Sequence, residues 1–400
     1  MNRVVITGAG QVSPLGHGMD EFFANLEAGR KGINNIEGFN SEYFPTRLGG
    51  EAKSNGKVIK FPQETDRKAE FIRRAVAELA DNNPGLFDYA PGDRIAHFGA
   101  GIDYFDLVSY IDGKNYADGD WNEFCYRSTR TVLRELAGMY GFSGGCSVNV
   151  AACVASTQAI GLGFRMVKRN PNKIVISGGF DSMLCPLHYL GFYKLGALSA
   201  WEGPPEESCR PFDKRRCGLV IGEGAAALSL QSYEKADKNK ILGEIVGYSS
   251  TMDSYMPTDP LPDGRQLAKA ALTAIEEAGI SPDDIDCAHL HGTGTYRNEP
   301  AETEAMKKIF GKRYNQIPVF SLKGHVGHLI GACGALEILA ALHCLEEQKV
   351  MPTANFETPD PEADLFVVRG KPLHTKINYI LKLNAGFGGQ NAAIVLKRYE

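Results

Sequence analysis

Four residues stand out by type and spacing as carriers of chemistry. Cys153 lies in "NVAACVASTQAIG", between a strand-like run and a helix of small residues. His291 opens "HGTGT", and Lys323 precedes His328 by five positions in "KGHVGHLIGACG". A cysteine in the first turn of a helix feels the positive end of the helix dipole, which favours thiolate and is expected to lower its pKa. The small neighbours Ala151, Ala152 and Ala155 leave room for a thioester carbonyl. A sulfur that takes up an acyl group divides carbon–carbon bond formation into loading and attack. Decarboxylation of a malonyl group makes the attacking carbanion without a strong base, and two histidine N–H donors suit its enolate oxygen.

Each residue also has a plainer reading. A cysteine among small apolar residues is usually buried packing, a histidine at a strand end is usually structural, and Lys323 alone is a surface charge. His289, His291, His325 and His328 offer four imidazoles for zinc or copper, but no carboxylate or cysteine accompanies the His289/His291 pair at ligand spacing. No metal and no cofactor is expected. Other motifs fail. Gly8-x-Gly10 is followed by Ser13 where a dinucleotide loop needs a third glycine, "GEAKSNGKV" has the wrong spacing for a phosphate loop, and no G-x-S-x-G elbow occurs.

The elements that must position these residues alternate. Val4–Thr7 reads as a strand running into a Gly-Ala-Gly turn. A helix from Asp20 to Gly29, an amphipathic helix starting at Asp66, the strand "RIAHFGAG" and a helix closed by Gly141 follow. "CSVNVAAC" is a strand, Val154–Lys168 a helix, "KIVISGG" and "GEGAAALSLQ" strands. The second part repeats the alternation and predicts that His291 ends a strand, that His328 opens the Gly-rich start of a helix running from about Gly331 to Glu346, and that two strands flank "GFGG" near Phe387. Such alternation argues an α/β fold with largely parallel, buried sheets. Residues 201–211 read as a linker, and the acidic stretch 101–124 as a surface excursion or lid.

Four hundred residues favour two domains or one fused double unit, here 1–240 and 241–400. A net charge of −5 gives no whole-molecule attraction to nucleic acid. Nine scattered cysteines without C-x-x-C spacing read as reduced thiols. No signal peptide and no membrane-spanning run is evident, so the expected location is cytoplasmic.

Taken together, Cys153, "HGTGT" and "KGHVGHLIGACG" resemble the β-ketoacyl-acyl carrier protein synthases, the decarboxylating condensing enzymes of the thiolase superfamily. The likeness covers nearly the whole chain, including "VVITGAGQVSPLG", "FYKLGALS" and "CRPFDKRRCGLVIGEGAAAL". It implies a layered αβαβα fold of two similar halves, usually dimeric, either as a homodimer or with a chain-length-factor-like subunit. It further implies that Cys153 is loaded from acyl carrier protein, with its own N–H and that of Phe387 as oxyanion hole. His291 and His328 would hold the malonyl thioester oxygen, Lys323 would act electrostatically in a pair with Glu302, and Thr293 and Thr295 would touch substrate. Phe387 would gate the site. The family's aspartate in H-G-T-x-T-x-x-x-D is Glu299 here, an aspartate before Gly218 is Cys217, and N-S-F-G-F-G-G reads Leu383-Asn384-Ala385-Gly386-Phe387-Gly388-Gly389. The alternative is a non-catalytic chain-length-factor-like partner, against which Cys153 itself argues. Acyl carrier protein is acidic, so Arg67, Lys68, Arg73, Arg74, Arg127 and Arg130 are candidates for a basic docking patch.

Overall fold

The computed structural model describes residues 2–62, 65–102 and 128–399. The first half runs β1 (Val4–Ser13), α1 (Met19–Glu27), α2 (Arg67–Asn82), β2 (Arg94–Ala100), α3 (Thr129–Tyr140), β3 (Gly145–Val150), α4 (Ala155–Arg169), β4 (Ile174–Ser182), α5 (Pro186–Lys194) and β5 (Glu223–Ser232). The second runs β6 (Gly243–Met252), α6 (Arg265–Glu277), β7 (Cys287–His289), α7 (Asn298–Phe310), β8 (Pro318–Phe320), α8 (Lys323–Val326), α9 (Cys333–Glu347), β9 (Phe366–Val367), β10 (Tyr379–Gly386) and β11 (Gln390–Lys397).

Strand order is β3-β2-β4-β5-β1 in the first half and β9-β8-β7-β10-β11-β6 in the second. With the two-residue edge strand β9 set aside, each half, counted within itself, reads third, second, fourth, fifth, first. Pair directions match too: the third–second and second–fourth pairs are parallel, the other two antiparallel. The two halves are therefore built alike, and they join where β1 pairs with β6. The sheet is mixed rather than largely parallel. Burial on both faces makes β5, β1, β10 and β11 read as apolar runs whatever their direction, and the short turn between β10 and β11 can join only antiparallel strands.

Helices sort by burial pattern into three layers around the sheet. α2 and α3 pack on the outer face of the first half, α6 and α7 on that of the second, and α4 and α9 lie between. Every residue of α9 from Cys333 to Leu345 is buried, as a helix apolar on all sides requires. α2 starts where Asp66 accepts the backbone N–H groups of Lys68 and Ala69, and α3 ends at left-handed Gly141. β1 does not turn at Gly8–Gly10 but continues to Ser13, because α2 lies directly on it. A Cβ on Gly10 would come 2.1 Å from the Ala75 carbonyl oxygen.

Residues 201–211 are not a linker. Arg210 is fully buried under the Trp201 ring, and Cys209 packs with Val220. Of the expected lid, residues 103–124 lie outside the described residues, as does Arg127. No described helix is long and apolar enough to cross a membrane.

Candidate active site

The ligating atoms of Cys153, His291 and His328 lie within 4.8 Å of one another, and all three residues are buried. They line one cleft of about 1050 Å³, counting its open mouth, together with Thr293, Thr295 and Phe387. The four-imidazole set does not assemble: His289 accepts the Leu322 N–H, and both ring nitrogens of His325 face the backbone carbonyls of Arg30 and Pro352.

Cys153 sits in a tight turn, Ala152–Val154, that feeds α4. Ala152 has φ of +47°, a left-handed conformation costing an L-residue about 1–2 kcal/mol, and its N–H is held on the Gly101 carbonyl. The second half repeats the device. Ile330 also has φ of +47° in the turn Ile330–Ala332 that feeds α9, and α4 and α9 are both 15 residues long. One bend presents the sulfur, and the other follows the His328 ring.

β7 ends at His289, two residues short of His291, whose loop is fixed from α7. The Glu302 carboxylate accepts the backbone N–H groups of His291 (2.5 Å) and Gly292 (2.8 Å) and the Asn298 amide (2.7 Å). Glu302 is thus occupied in positioning the loop and does not pair with Lys323. The carboxylate on Lys323 is Glu337, from the middle of α9, at 2.5 Å. On the other oxygen of Glu337 sits a second buried lysine, Lys382, also at 2.5 Å. Burial works against the charges of Lys323 and Glu337, but their pairing prevails, holding the ammonium above and the carboxyl well below the usual ranges. Burial and the neighbouring ammonium bring Lys382 below the usual lysine range despite Glu337. Sequence reasoning missed Glu337 and Lys382. The available signal was a charge inside a wholly apolar helix, "GALEILAAL", and another inside an apolar strand, "YILKLNAG".

Hydrogen bonds assign the tautomers. Nδ1 of His291 faces two donors, the Asn384 amide at 3.0 Å and the Lys323 ammonium at 3.2 Å, so the ring proton is on Nε2. Nδ1 of His328 accepts the Ile330 N–H at 3.1 Å, and its Nε2 is buried with no hydrogen-bond partner among the described residues. His328 lies in the bend after α8 rather than opening a helix, with its backbone pinned to Val220 and Gly222. Burial first, then Lys323, keeps both imidazoles neutral, far below their ordinary pKa. Both rings therefore carry their proton on Nε2, close to the sulfur.

The expected depressed thiol pKa does not hold. Burial pushes Cys153 up to about 11, against the pull of Lys323 and of a hydrogen bond from the Phe387 N–H. That Phe387 N–H lies where an acyl oxygen on the sulfur would need a donor, and the Phe387 ring stacks on Phe192 from α5 at 6.2 Å. The Thr293 and Thr295 hydroxyls are 2.9 Å apart on the cleft wall. Glu299 accepts the Gly294 N–H at 2.5 Å and lies 3.8 Å from Arg216. Of the candidate basic patch, Arg67 pairs with Glu223, buried Lys68 with Asp66, and Arg73 with Glu70 and Glu135, while Arg74 lies over the Phe61 ring.

A sulfur to carry an acyl group beside paired N–H donors for an enolate is the equipment of a carbon–carbon-condensing acyltransferase, here at the seam of two like halves. The chain belongs to the beta-ketoacyl synthase family: residues 1–86 and 123–236 match its N-terminal domain and 242–357 its C-terminal domain. It is 33% identical along its full length to the 3-oxoacyl-[acyl-carrier-protein] synthase 2 of Synechocystis sp., spanning 98% of that protein. It is 32% identical to the Staphylococcus aureus protein of the same name, over 100% of this chain and 99% of that one. Among solved structures, a beta-ketoacyl synthase from Burkholderia phymatum superposes with a TM-score of 0.88 at 29% identity, with both chains fully covered. A type II PKS acyl-carrier protein in complex with its ketosynthase contains a chain that superposes at 0.87 and 28%, again fully covered. The ishigamide ketosynthase/chain length factor does so at 0.88 and 26%, with full coverage of both chains. These neighbours share the thiolase-like fold.

Proposed function

We propose that the chain elongates acyl chains by decarboxylative condensation, with Cys153 as nucleophile. In the first step the Cys153 sulfur attacks an acyl thioester on acyl carrier protein. The acyl group passes to the sulfur and the thiol proton ends on the released carrier thiol, while the N–H groups of Cys153 and Phe387 hold the carbonyl oxygen. In the second, a malonyl carrier protein enters and its carboxylate leaves as carbon dioxide. The bonding pair becomes an enolate whose oxygen rests on Nε2–H of His291 and His328. The enolate carbon attacks the acyl carbonyl, the Cys153 sulfur leaves and takes up a proton, and a β-ketoacyl carrier protein departs. Lys323 supports the rings electrostatically, Thr293 and Thr295 contact the substrate arm, and Phe387 swings to order the steps. The reading includes two units, 1–240 and 241–400, a cytoplasmic location, and a homodimer or a heterodimer with a chain-length-factor-like subunit.

The observation that carries this is the convergence of the Cys153 sulfur and a ring nitrogen from each of His291 and His328 within 4.8 Å, with Nδ1 of both rings already engaged by donors. Cys153 and both histidines in working positions argue against a purely non-catalytic chain-length-factor role. Incubation with acyl-carrier protein should add one acyl mass, located by peptide mapping on Cys153, and C153A should gain none. Equal labelling of C153A would overturn the proposal.

A further inference from the structure

Glu337 neutralises Lys323 one for one, which would leave no net charge beneath the histidines. Lys382 changes that sum. Its Nζ has three acceptors, Glu337 Oε2 at 2.5 Å, the Leu383 carbonyl at 3.0 Å and Asn384 Oδ1, which match the three N–H groups of an ammonium. Lys323 is likewise matched by Glu337 Oε1, the His291 carbonyl at 2.6 Å and His291 Nδ1. All three side chains are at most 2% exposed. Two ammoniums thus share one carboxylate, so these three side chains carry one positive charge in excess, facing only the more distant Glu302 carboxylate that backbone and amide N–H groups already hold.

Asn384 links this cluster to the ring. Its Oδ1 accepts from Lys382 and from the Thr157 hydroxyl, and this leaves its Nδ2 to donate to His291 Nδ1 at 3.0 Å and Glu337 Oε2 at 3.0 Å. With both oxygen partners being donors, the amide has one orientation. Removing Lys382 would take the one obligate donor from Oδ1 and loosen the amide that donates to His291 Nδ1, leaving Glu337 and Lys323 to hold the arrangement. The sequence departs here from the family's N-S-F-G-F-G-G, with Leu383 and Asn384 in the first two places and Lys382 before them.

We propose that Lys382 is a positioning residue for the condensation: through Asn384 it holds His291 as the Nε2–H donor, and it keeps the charge beneath both imidazoles positive when the enolate forms. The inference rests on the function proposed above. It assigns Lys382 to the decarboxylating half-reaction, where negative charge builds on the enolate oxygen, rather than to loading.

The test measures both half-reactions in the full-length protein with K382M, N384A and the double variant. K382M leaves Glu337 paired with Lys323, so no buried charge is orphaned. Malonyl-carrier-protein decarboxylation by K382M should fall about ten- to hundredfold in kcat with little change in KM, while loading of Cys153 falls no more than about threefold. N384A should reproduce the loss, and the double variant should add little to it, because the two act through one ring. In ¹⁵N-histidine spectra, His291 Nδ1 should report an unprotonated, hydrogen-bonded nitrogen in the wild type and a shifted signal in K382M, as its bond from the loosened Asn384 amide weakens. Wild-type decarboxylation in K382M, equal loss of both half-reactions, additive losses in the double variant, or an unchanged His291 signal would each overturn it. If the unmodified protein itself fails to decarboxylate malonyl carrier protein, the functional reading falls instead, and the ring-nitrogen signal alone decides the positioning claim.

Discussion

At the scale of single residues, the site stores its sulfur as a thiol. Below a pKa of about 11 the thiolate fraction rises about tenfold with each pH unit. Alkylation of Cys153 by iodoacetamide, followed on its peptide, should therefore keep climbing from pH 7 to 10. A rate that levels off below pH 8 would mean the helix dipole dominates burial after all. His328 offers the cleanest test of the enolate site, since its Nε2 has no partner among the described residues to be left behind. H328A should lower malonyl decarboxylation by about 10²–10³, the usual effect of losing one oxyanion donor, and this is measurable as carbon dioxide release. The imidazoles should not titrate near neutrality, because burial and Lys323 both oppose a second cation.

At the scale of elements, reactivity depends on how closely α4 and α9 approach. They meet at Gly334, where an added Cβ would lie 2.1 Å from the Thr157 hydroxyl and 2.9 Å from the Thr157 backbone nitrogen. G334A should cost about 1–3 kcal/mol through overpacking, read as a lower denaturant midpoint, and should also slow loading because the Cys153 turn moves with α4. Much of this level was legible in the sequence. Asp66 and Gly141 mark helix ends by side-chain and left-handed-backbone chemistry that acts within a few residues, and the order Cys153, "HGTGT", "KGHVGH" located three of the active groups. What was not legible depends on distance in space. Glu302 and Glu337 are both glutamates on helices near the histidines, and nothing local says which one faces Lys323. Strand direction was hidden because a strand buried on both faces shows no alternation. The left-handed Ala152 was hidden because alanine carries no mark of the strain.

At the scale of the whole molecule, buried carboxyls tie stability to pH. Burial raises Asp181, which accepts the N–H groups of Gly101 and Gly331, to about 7, and raises Glu299 to about 7 as well. Unfolded, these groups titrate near 4. Between those values the folded chain retains protons that the unfolded chain releases, so their contribution is full below about pH 4 and is lost as pH rises through about 7. A D181N/E299Q variant should lose less thermal stability than wild type between pH 5 and pH 8, measured by calorimetry. A parallel decline in both proteins would remove these two groups from the account.

The doubling of the fold also bears on how little of the chain can work alone. The sulfur comes from one half of the sheet and both rings from the other, so neither half holds a complete set. Cut between β5 and β6, each piece would keep its own strand order yet be inert. Chemistry would return only on mixing, at a rate limited by reassociation of the two fragments.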